Sequence, residues 1–101
     1  MWVMVMFDLP VTTIATRRAY TRFHKDLLKD GFSMWQFSVY LRHCASEENG
    51  TVHIKRIESK LPKAGKVSIL TITEKQMASI RTFWGRSKID PDGAPLQLEM
   101  F

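Results

Sequence analysis

The sequence predicts an α+β domain in which one antiparallel sheet carries helices on a single face. Short apolar or alternating segments, typical of strands, are interleaved with segments whose apolar residues recur at helical spacing. The chain has 101 residues, which is enough for one domain. Its hydrophobic fraction of 45% indicates a packed core and argues against disorder. A chain of this length buries about 60–65% of its unfolded surface, so we expect a modest core.

The first predicted strand covers residues 2–7, six apolar residues that include β-branched and aromatic side chains. Such a run is too short to span a membrane and is typical of a strand buried on both faces. Asp8 follows it. Pro10 cannot continue a hydrogen-bonded ladder, and it pushes Leu9 into an extended conformation. The sequence therefore places a single carboxylate at the exit of a core strand.

A helix is predicted between the hydroxyl-rich residues 11–16 and Asp30, with Gly31 ending it. Its apolar positions form one face: Tyr20, Phe23, Leu27 and Leu28. Its basic positions form a stripe on another face: Arg18, Arg22, Lys25 and Lys29, with Arg17 in the first turn. Most stripes of this kind are ordinary solvated faces. Two arginines at the helix start oppose the helix dipole, however, and so favour an anionic partner.

Residues 32–42 alternate as one predicted strand. Its apolar face carries Trp35, Phe37, Val39 and Leu41, and Arg42 lies on the mixed face. A second helix begins after the cap Ser46 and ends before Pro62. Its expected inner side consists of Ile54, Ile57 and Leu61.

The last third of the chain predicts a third strand at residues 66–73 and a fourth at 79–84. Between them, residues 73–76 have the spacing of a capping box that opens one short helical turn. Residues 85–95 contain two glycines and two prolines and are predicted to be a linker. Residues 96–101 alternate again and predict a short terminal strand.

We assign these elements to the ferredoxin-like split βαβ arrangement, which is βαββαβ with an extra C-terminal strand here. We expect residues 1–84 to form this domain. Its two helices cover one face of the sheet, yet Trp2, Met4 and Met6 are as apolar as their neighbours. Because no third helix is predicted, a second copy packed sheet against sheet is the economical cover. The strand at 96–101 would then add to the partner's sheet edge.

Charge and cysteine content limit the partners and the compartment. The net charge is +5 and the pI about 9.7. This favours polyanions, and nucleic acid over a membrane, because no segment joins a basic face to a wide apolar one. The alternative is that the charge only maintains solubility. The single cysteine, Cys44, and the absence of a secretory signal pattern favour the cytoplasm.

Asp8 has two interpretations. As a structural residue it hydrogen-bonds the following backbone and shapes the turn before Pro10. As a functional residue it is a hard oxygen ligand for Mg²⁺, which keeps several waters and needs only one or two carboxylates. One Asp per chain is insufficient, but a twofold axis near the strand end would bring two together. The metal would polarise a phosphate and generate hydroxide from water.

The other polar and aromatic residues predict no second site. The three histidines and the remaining acids lack the spacing of metal ligands. Tyr20 and Phe37 are expected in the core rather than as platforms for base stacking. An RNA-recognition module would need aromatic residues on its open strand. Residues 66–73 contain none, which argues against that class of protein.

Three segments together carry a family resemblance: Phe7-Asp8-Leu9-Pro10 at the first strand end, Arg17-Arg18 at the helix start, and Gln36-Phe37-Ser38-Val39-Tyr40. In this order they resemble the small CRISPR-associated adaptation protein family Cas-two. The resemblance extends over essentially the whole chain. Residues 36–44 and 65–76 resemble the branch of the family found in type II systems.

The resemblance implies a homodimer that works with the partner integrase Cas-one to capture duplex DNA fragments and insert them as spacers. Members of the family also act as Mg²⁺-dependent endonucleases on single-stranded RNA or duplex DNA. Asp8 would then be the catalytic and metal-binding acid, with Mn²⁺ as an alternative metal. The residues expected to bind nucleic acid are Arg17, Arg18, Arg22, Lys25 and Arg42. The terminal strand would join the dimer partner or the integrase.

Several functions stay open at this point. The first is a DNA-binding scaffold in spacer acquisition, and the second is a metal-dependent endonuclease. A related toxin-like family with the same fold adds a stand-alone endoribonuclease. The last is a structural dimer that binds no nucleic acid. Salt-dependent duplex binding and metal-dependent cleavage distinguish among them.

Overall fold

The computed structural model describes residues 1–85, which form four strands and three helices. In chain order these are β1 Trp2–Asp8, α1 Ile14–Lys29, β2 Ser33–Gln36, β3 Val39–His43, α2 Glu47–Glu58, β4 Lys66–Ile72 and α3 Glu74–Ala78. The strands form one antiparallel sheet in the order β2-β3-β1-β4. The ferredoxin-like βαββαβ fold is thereby confirmed. Beyond Gly85, the predicted linker and terminal strand lie outside the described residues.

The bounds of α1 follow from its local sequence. Thr13 is the N-cap, and its hydroxyl accepts a hydrogen bond from the Thr16 amide at 3.1 Å, while the Thr16 hydroxyl accepts one from the Thr13 amide at 3.0 Å. At the other end Asp30 is the C-cap and Gly31 adopts φ 89°, a left-handed conformation that glycine enters without a steric penalty. The helix end predicted at Asp30 and Gly31 is confirmed.

The main core lies between the sheet and the two longer helices. Val3, Val5 and Phe7 of β1 are buried there with Phe23 and Leu27 of α1 and Ile57 of α2. The ring of Phe7 meets that of Phe23 edge-on at 5.2 Å and stacks on Tyr40 at 5.5 Å. Burial raises the pKa of the Tyr40 phenol, whose oxygen is hydrogen-bonded to Nδ1 of His24. This packing holds α1 firmly against the first strand.

The segment predicted as one strand at 32–42 is a hairpin of β2 and β3. Gln36 pairs with Val39, so Phe37 and Ser38 form a two-residue turn, and Ser38 adopts φ 62°. A bulge between Met34 and Gln36 shifts the register by one residue. Phe37 is consequently 65% exposed, and its predicted place in the core is wrong.

The predicted strand at 79–84 is also wrong. Ser79 caps α3, residues 80–83 have no regular structure, and Trp84 makes an isolated bridge. The short α3 begins at the predicted capping box of Thr73 and Gln76, which is confirmed. It contributes Met77 to a second apolar cluster, around Met4, Leu41 and Ile72, on the sheet face that the two long helices leave open. The expectation that no third helix reaches this face was therefore incorrect.

The second helix is shorter than predicted. It runs from the Ser46 cap to Glu58, with Ser59 as its C-cap, rather than to Leu61. Leu61 is 46% exposed, whereas Ile57 is fully buried as expected. The residue before Pro62 is restricted to extended conformations, which prevents the helix from continuing to it. Within residues 1–85, none of the helices combines the length and apolarity needed to cross a bilayer.

Candidate nucleic-acid interface and metal position

Asp8 is the last residue of β1 and is exposed to solvent. It lies opposite Lys66 in the register with β4. Successive side chains alternate between sheet faces, so Asp8 lies on the same side as Met4 and Met6, which is the face without the long helices. Asp8 forms no ion pair with any residue from 1 to 85.

Two close backbone contacts hold this strand end in place. The amide of Phe7 donates a hydrogen bond to the carbonyl of Ser38 at 3.1 Å, which ties β1 to the hairpin turn. On the other side Gly65 adopts φ 94°, and a Cβ there would lie 2.7 Å from the carbonyl oxygen of Asp8. A larger residue at position 65 would push the strand end away. The carboxylate therefore stands on a rigid part of the backbone.

One carboxylate alone meets only part of the requirement of a metal site. Within the described part of the chain, no group of three His, Cys, Asp or Glu residues is placed to hold a metal ion. An exposed, unpaired carboxylate fits Mg²⁺ as one oxygen ligand among several waters. Further protein ligands would have to come from outside residues 1–85 of one chain. The exposure of Asp8 is thus compatible with metal binding, but the described residues do not supply a full set of protein ligands.

The solvent-facing side of α1 forms a basic groove, which we define by Arg17, Arg18, Arg22, Lys25 and Lys29. Asp26 is the one carboxylate that lines it. The guanidinium of Arg17 donates to the carbonyl of Val11 at 3.2 Å, which fixes the helix entrance. Four of the five residues expected to bind nucleic acid are therefore brought together on one surface: Arg17, Arg18, Arg22 and Lys25.

The structure does not bring Arg42 into the basic groove. Arg42 lies opposite Val3 in the register, five residues along β1 from Asp8, or roughly 17 Å. Its guanidinium packs against Gly31 at the C-terminal end of α1, where a Cβ on the glycine would lie 2.9 Å from the nearer Arg42 nitrogen. Its Nε is buried with no hydrogen-bond partner in the described residues. These contacts favour a packing role at the far end of the helix.

A partly buried ion-pair network that the sequence did not predict joins the end of α1 to α2. One oxygen of Asp30 bonds Nδ1 of His53 at 2.8 Å, and the other accepts from Arg56 at 3.0 Å. Burial raises the pKa of Asp30, but the hydrogen bonds from His53 and Arg56 outweigh it, so the net pKa is lowered. His53 and Arg56 lie three residues apart on one helix face, which is the available sequence signal.

A second polar cluster holds α3 against the start of β1. The carboxylate of Glu74 accepts hydrogen bonds from the terminal amine of Met1 at 2.6 Å and from Nε1 of Trp2 at 2.9 Å, and it contacts Nε2 of His43 at 2.6 Å. The hydrogen bonds from the amine, Trp2 and His43 lower the pKa of Glu74 to about 2. The sequence predicted the helical turn here but not its partners.

The Glu74 cluster predicts a pH dependence of stability. A carboxyl whose pKa falls on folding stabilises the folded state above its unfolded pKa of 4.5, and this contribution disappears as the pH drops toward about 2. We expect the melting temperature to fall more steeply between these values in the wild type than in Glu74→Gln, measured by thermal unfolding at a series of pH values. Glu58→Gln, an exposed carboxyl with no ion pair in the described region, is the matched control. Parallel wild-type and Glu74→Gln curves would contradict this role of the cluster.

Comparison with known proteins identifies the family. The family model described as "CRISPR associated protein Cas2", the Cas-two family introduced above, matches residues 1–80. A protein of Parvibaculum lavamentivorans named CRISPR-associated endoribonuclease Cas2 is 50% identical over the full length of both chains. A protein of the same name from Flavobacterium psychrophilum is 46% identical over all of this chain and 88% of its own.

A solved structure is similar in fold. The crystal structure of Streptococcus pyogenes Cas2 at pH 6.5 matches with a TM-score of 0.62. The match covers 82% of this chain and 99% of that one, at 20% sequence identity. At this identity the similarity establishes the architecture alone.

Proposed function

The chain belongs to the Cas2 family of CRISPR-associated proteins, and on that premise we propose that it binds duplex DNA fragments for spacer acquisition. In this proposal it acts as a homodimer together with the partner integrase. The resemblance in residues 36–44 and 65–76 favours the branch of the family found in type II systems. The cytoplasm is the compartment that the single buried thiol of Cys44 favours.

The basic groove of α1 is the observation that carries this proposal. Five cations and one carboxylate line a single surface, so its potential is strongly positive. Phosphate contacts supply most of the affinity of proteins that bind duplex DNA without reading its sequence. From Arg18 to Lys29 the cations recur at three- and four-residue spacing, so they follow one side of the helix, as contacts to one strand of phosphates require.

The sheet face that lacks the two long helices supports the homodimer. Leu70 on β4 is 50% exposed and lies opposite Met4, so α3 leaves part of this apolar surface open. A second copy packed on the same face would cover it by twofold symmetry. It would also bring a second Asp8 to the assembly. β4 is an edge strand of the sheet, which offers a position where residues 96–101 of the partner would add as a further strand.

Nuclease activity is the second part of the proposal. The relatives are named endoribonucleases, which favours single-stranded RNA as a substrate beside duplex DNA. Asp8 and its counterpart on the second copy would hold Mg²⁺ or Mn²⁺. When bound, the metal supplies Lewis acidity toward a phosphate oxygen and lowers the pKa of a bound water. Arg17 and Arg18 would hold the phosphodiester. The scaffold role does not depend on this chemistry.

The proposed function is tested by titrating the tagged protein with duplex DNA and by co-expressing it with the integrase of the same genome. We expect the integrase to be retained on the tag. We also expect duplex affinity to fall linearly on a log–log plot against salt, with a slope of about −0.9 for each phosphate contacted. A protein that binds no duplex at low salt and retains no integrase would be a structural dimer, and the proposal would be wrong.

A further inference from the structure

An apolar cavity of about 350 Å³ lies between the first half of α1 and the loop that follows α2. Its walls include Leu9, Tyr20, Leu61 and Pro62. Its volume falls within the range of roughly 300–1,000 Å³ that is typical of small-ligand sites. The ring of Tyr20 meets that of Phe7 edge-on at 5.8 Å, so the core holds this wall in position. The cavity is therefore a preformed site for a flat or aliphatic group.

The charges at this cavity are all of one sign. Arg22, Lys60 and Lys63 are among its lining residues, and no Asp or Glu is. None of the three cations forms an ion pair with any residue in the described range. A complementary ligand therefore joins an apolar group to a negative charge, as a nucleotide does.

The cavity is continuous with the basic groove. Arg22 lines both, since it lies on the edge of α1 that the two surfaces share. A strand whose phosphates follow the groove would pass the mouth of the cavity at Arg22. The adjoining groove makes a nucleic-acid strand a better match than an apolar peptide, because a peptide has no use for a continuous row of cations.

We propose that this cavity accepts one unpaired base of a nucleic-acid strand bound along the basic groove. The inference rests on the proposed function and deepens it, since it assigns a single-stranded end or overhang to this part of the protein. Base pairing and stacking hold a base inside a duplex, whereas an unpaired base is free to enter. Inside, the base lies against Tyr20 and the aliphatic walls, while Arg22, Lys60 and Lys63 neutralise the flanking phosphates.

The test compares three DNA probes by fluorescence anisotropy: a blunt duplex, the same duplex with a short single-stranded overhang, and that overhang made abasic. Stacking of one base on an aromatic wall corresponds to about tenfold in affinity. We expect the wild type to bind the intact overhang about tenfold more tightly than the abasic one. A 2-aminopurine base in the overhang should change its fluorescence on binding.

Ala19→Leu fills the cavity without altering charge, and Leu, like Ala, is a strong helix former. It should bind the intact and abasic overhangs equally and leave blunt-duplex binding unchanged, because Ala19 is not a lining residue of the groove. Ala15→Leu at the same cavity is the second variant, should Ala19→Leu fold poorly. Ala78→Leu on exposed α3 is the matched control and should behave as the wild type.

Each remaining outcome has a distinct meaning. If the wild type bound the intact and abasic overhangs equally, the cavity assignment would be overturned. The proposed function would still stand if the wild type bound the blunt duplex. A base preference that persists in both filled variants would place the base elsewhere and also overturn it. If the wild type bound none of the three probes at low salt, the proposed function itself would be overturned.

Discussion

Replacing Asp8 with Asn is expected to reduce Mg²⁺-dependent cleavage of single-stranded RNA or duplex DNA by about a thousandfold or more. A bound metal contributes several kcal/mol to stabilising the transition state, and about 1.4 kcal/mol corresponds to a factor of ten in rate. The amide has the shape of the carboxylate but is a far poorer ligand for a hard cation. Asp8 is exposed and unpaired within residues 1–85, so we expect the fold to be retained.

The measurement is cleavage of labelled RNA and duplex DNA with Mg²⁺, with Mn²⁺ and with a chelator. Asp26→Asn is the matched control, because it removes the same charge from the basic groove without touching the proposed metal position. It should cleave as the wild type does. Cleavage that survives Asp8→Asn would show that another residue is responsible. A wild-type protein that binds duplex but cleaves nothing with either metal would leave only the scaffold function.

The double substitution of Arg17 and Arg18 by Ala is expected to weaken duplex binding by about 100-fold or more at low salt. Each charge-assisted contact contributes roughly 1.5–3 kcal/mol, so losing two costs at least about 3 kcal/mol. The log–log salt slope should become shallower by roughly 1.8, because each lost phosphate contact removes about 0.9. Titrations between about 50 and 200 mM salt give both quantities.

Two controls separate local contacts from net charge and from folding. Lys55→Ala with Lys75→Ala removes the same charge from α2 and α3, outside the groove, and should change the slope little. Arg18→Ala alone preserves the bond from Arg17 to the Val11 carbonyl and should give about half of the slope change. An unchanged affinity and slope in the double variant would remove these arginines from the interface.

The candidate site was predictable where its residues are close in sequence. The strand-end position of Asp8 follows from six apolar residues and a proline. The basic groove follows from helical spacing within α1, and the bounds of α1 from Thr13, Thr16 and Gly31. These features depend on interactions within a few residues, which local sequence records directly.

The hairpin was hidden by a compensation between two irregularities. With a two-residue turn alone, even-numbered residues of β2 would share a sheet face with odd-numbered residues of β3, because Gln36 pairs with Val39. The bulge between Met34 and Gln36 shifts the pairing by one residue, so that Ser33 pairs with Leu41. Odd-numbered residues of both strands then share one sheet face. One alternating pattern therefore continues through the turn, and periodicity does not reveal it.

By itself the sequence predicted the ferredoxin-like class, the two-sided apolarity of β1 with Asp8 at its end, and the basic side of α1. The division of residues 32–42 into β2 and β3, which completes the βαββαβ order, came only from the tertiary structure. Tertiary structure decided that α3 covers part of the sheet face that lacks the two long helices, that Arg42 lies about 17 Å along the sheet from Asp8, and that a cavity forms beside Arg22. The physical reason is the separation along the sequence over which each interaction acts. Caps and periodicity act within a few residues, whereas strand register and packing join residues far apart in the chain, such as Glu74 with His43. Asp8 shows both effects: its place at the end of β1 follows from local sequence, whereas residues 1–85 place no group of metal ligands around it, so any further ligand depends on longer-range contacts.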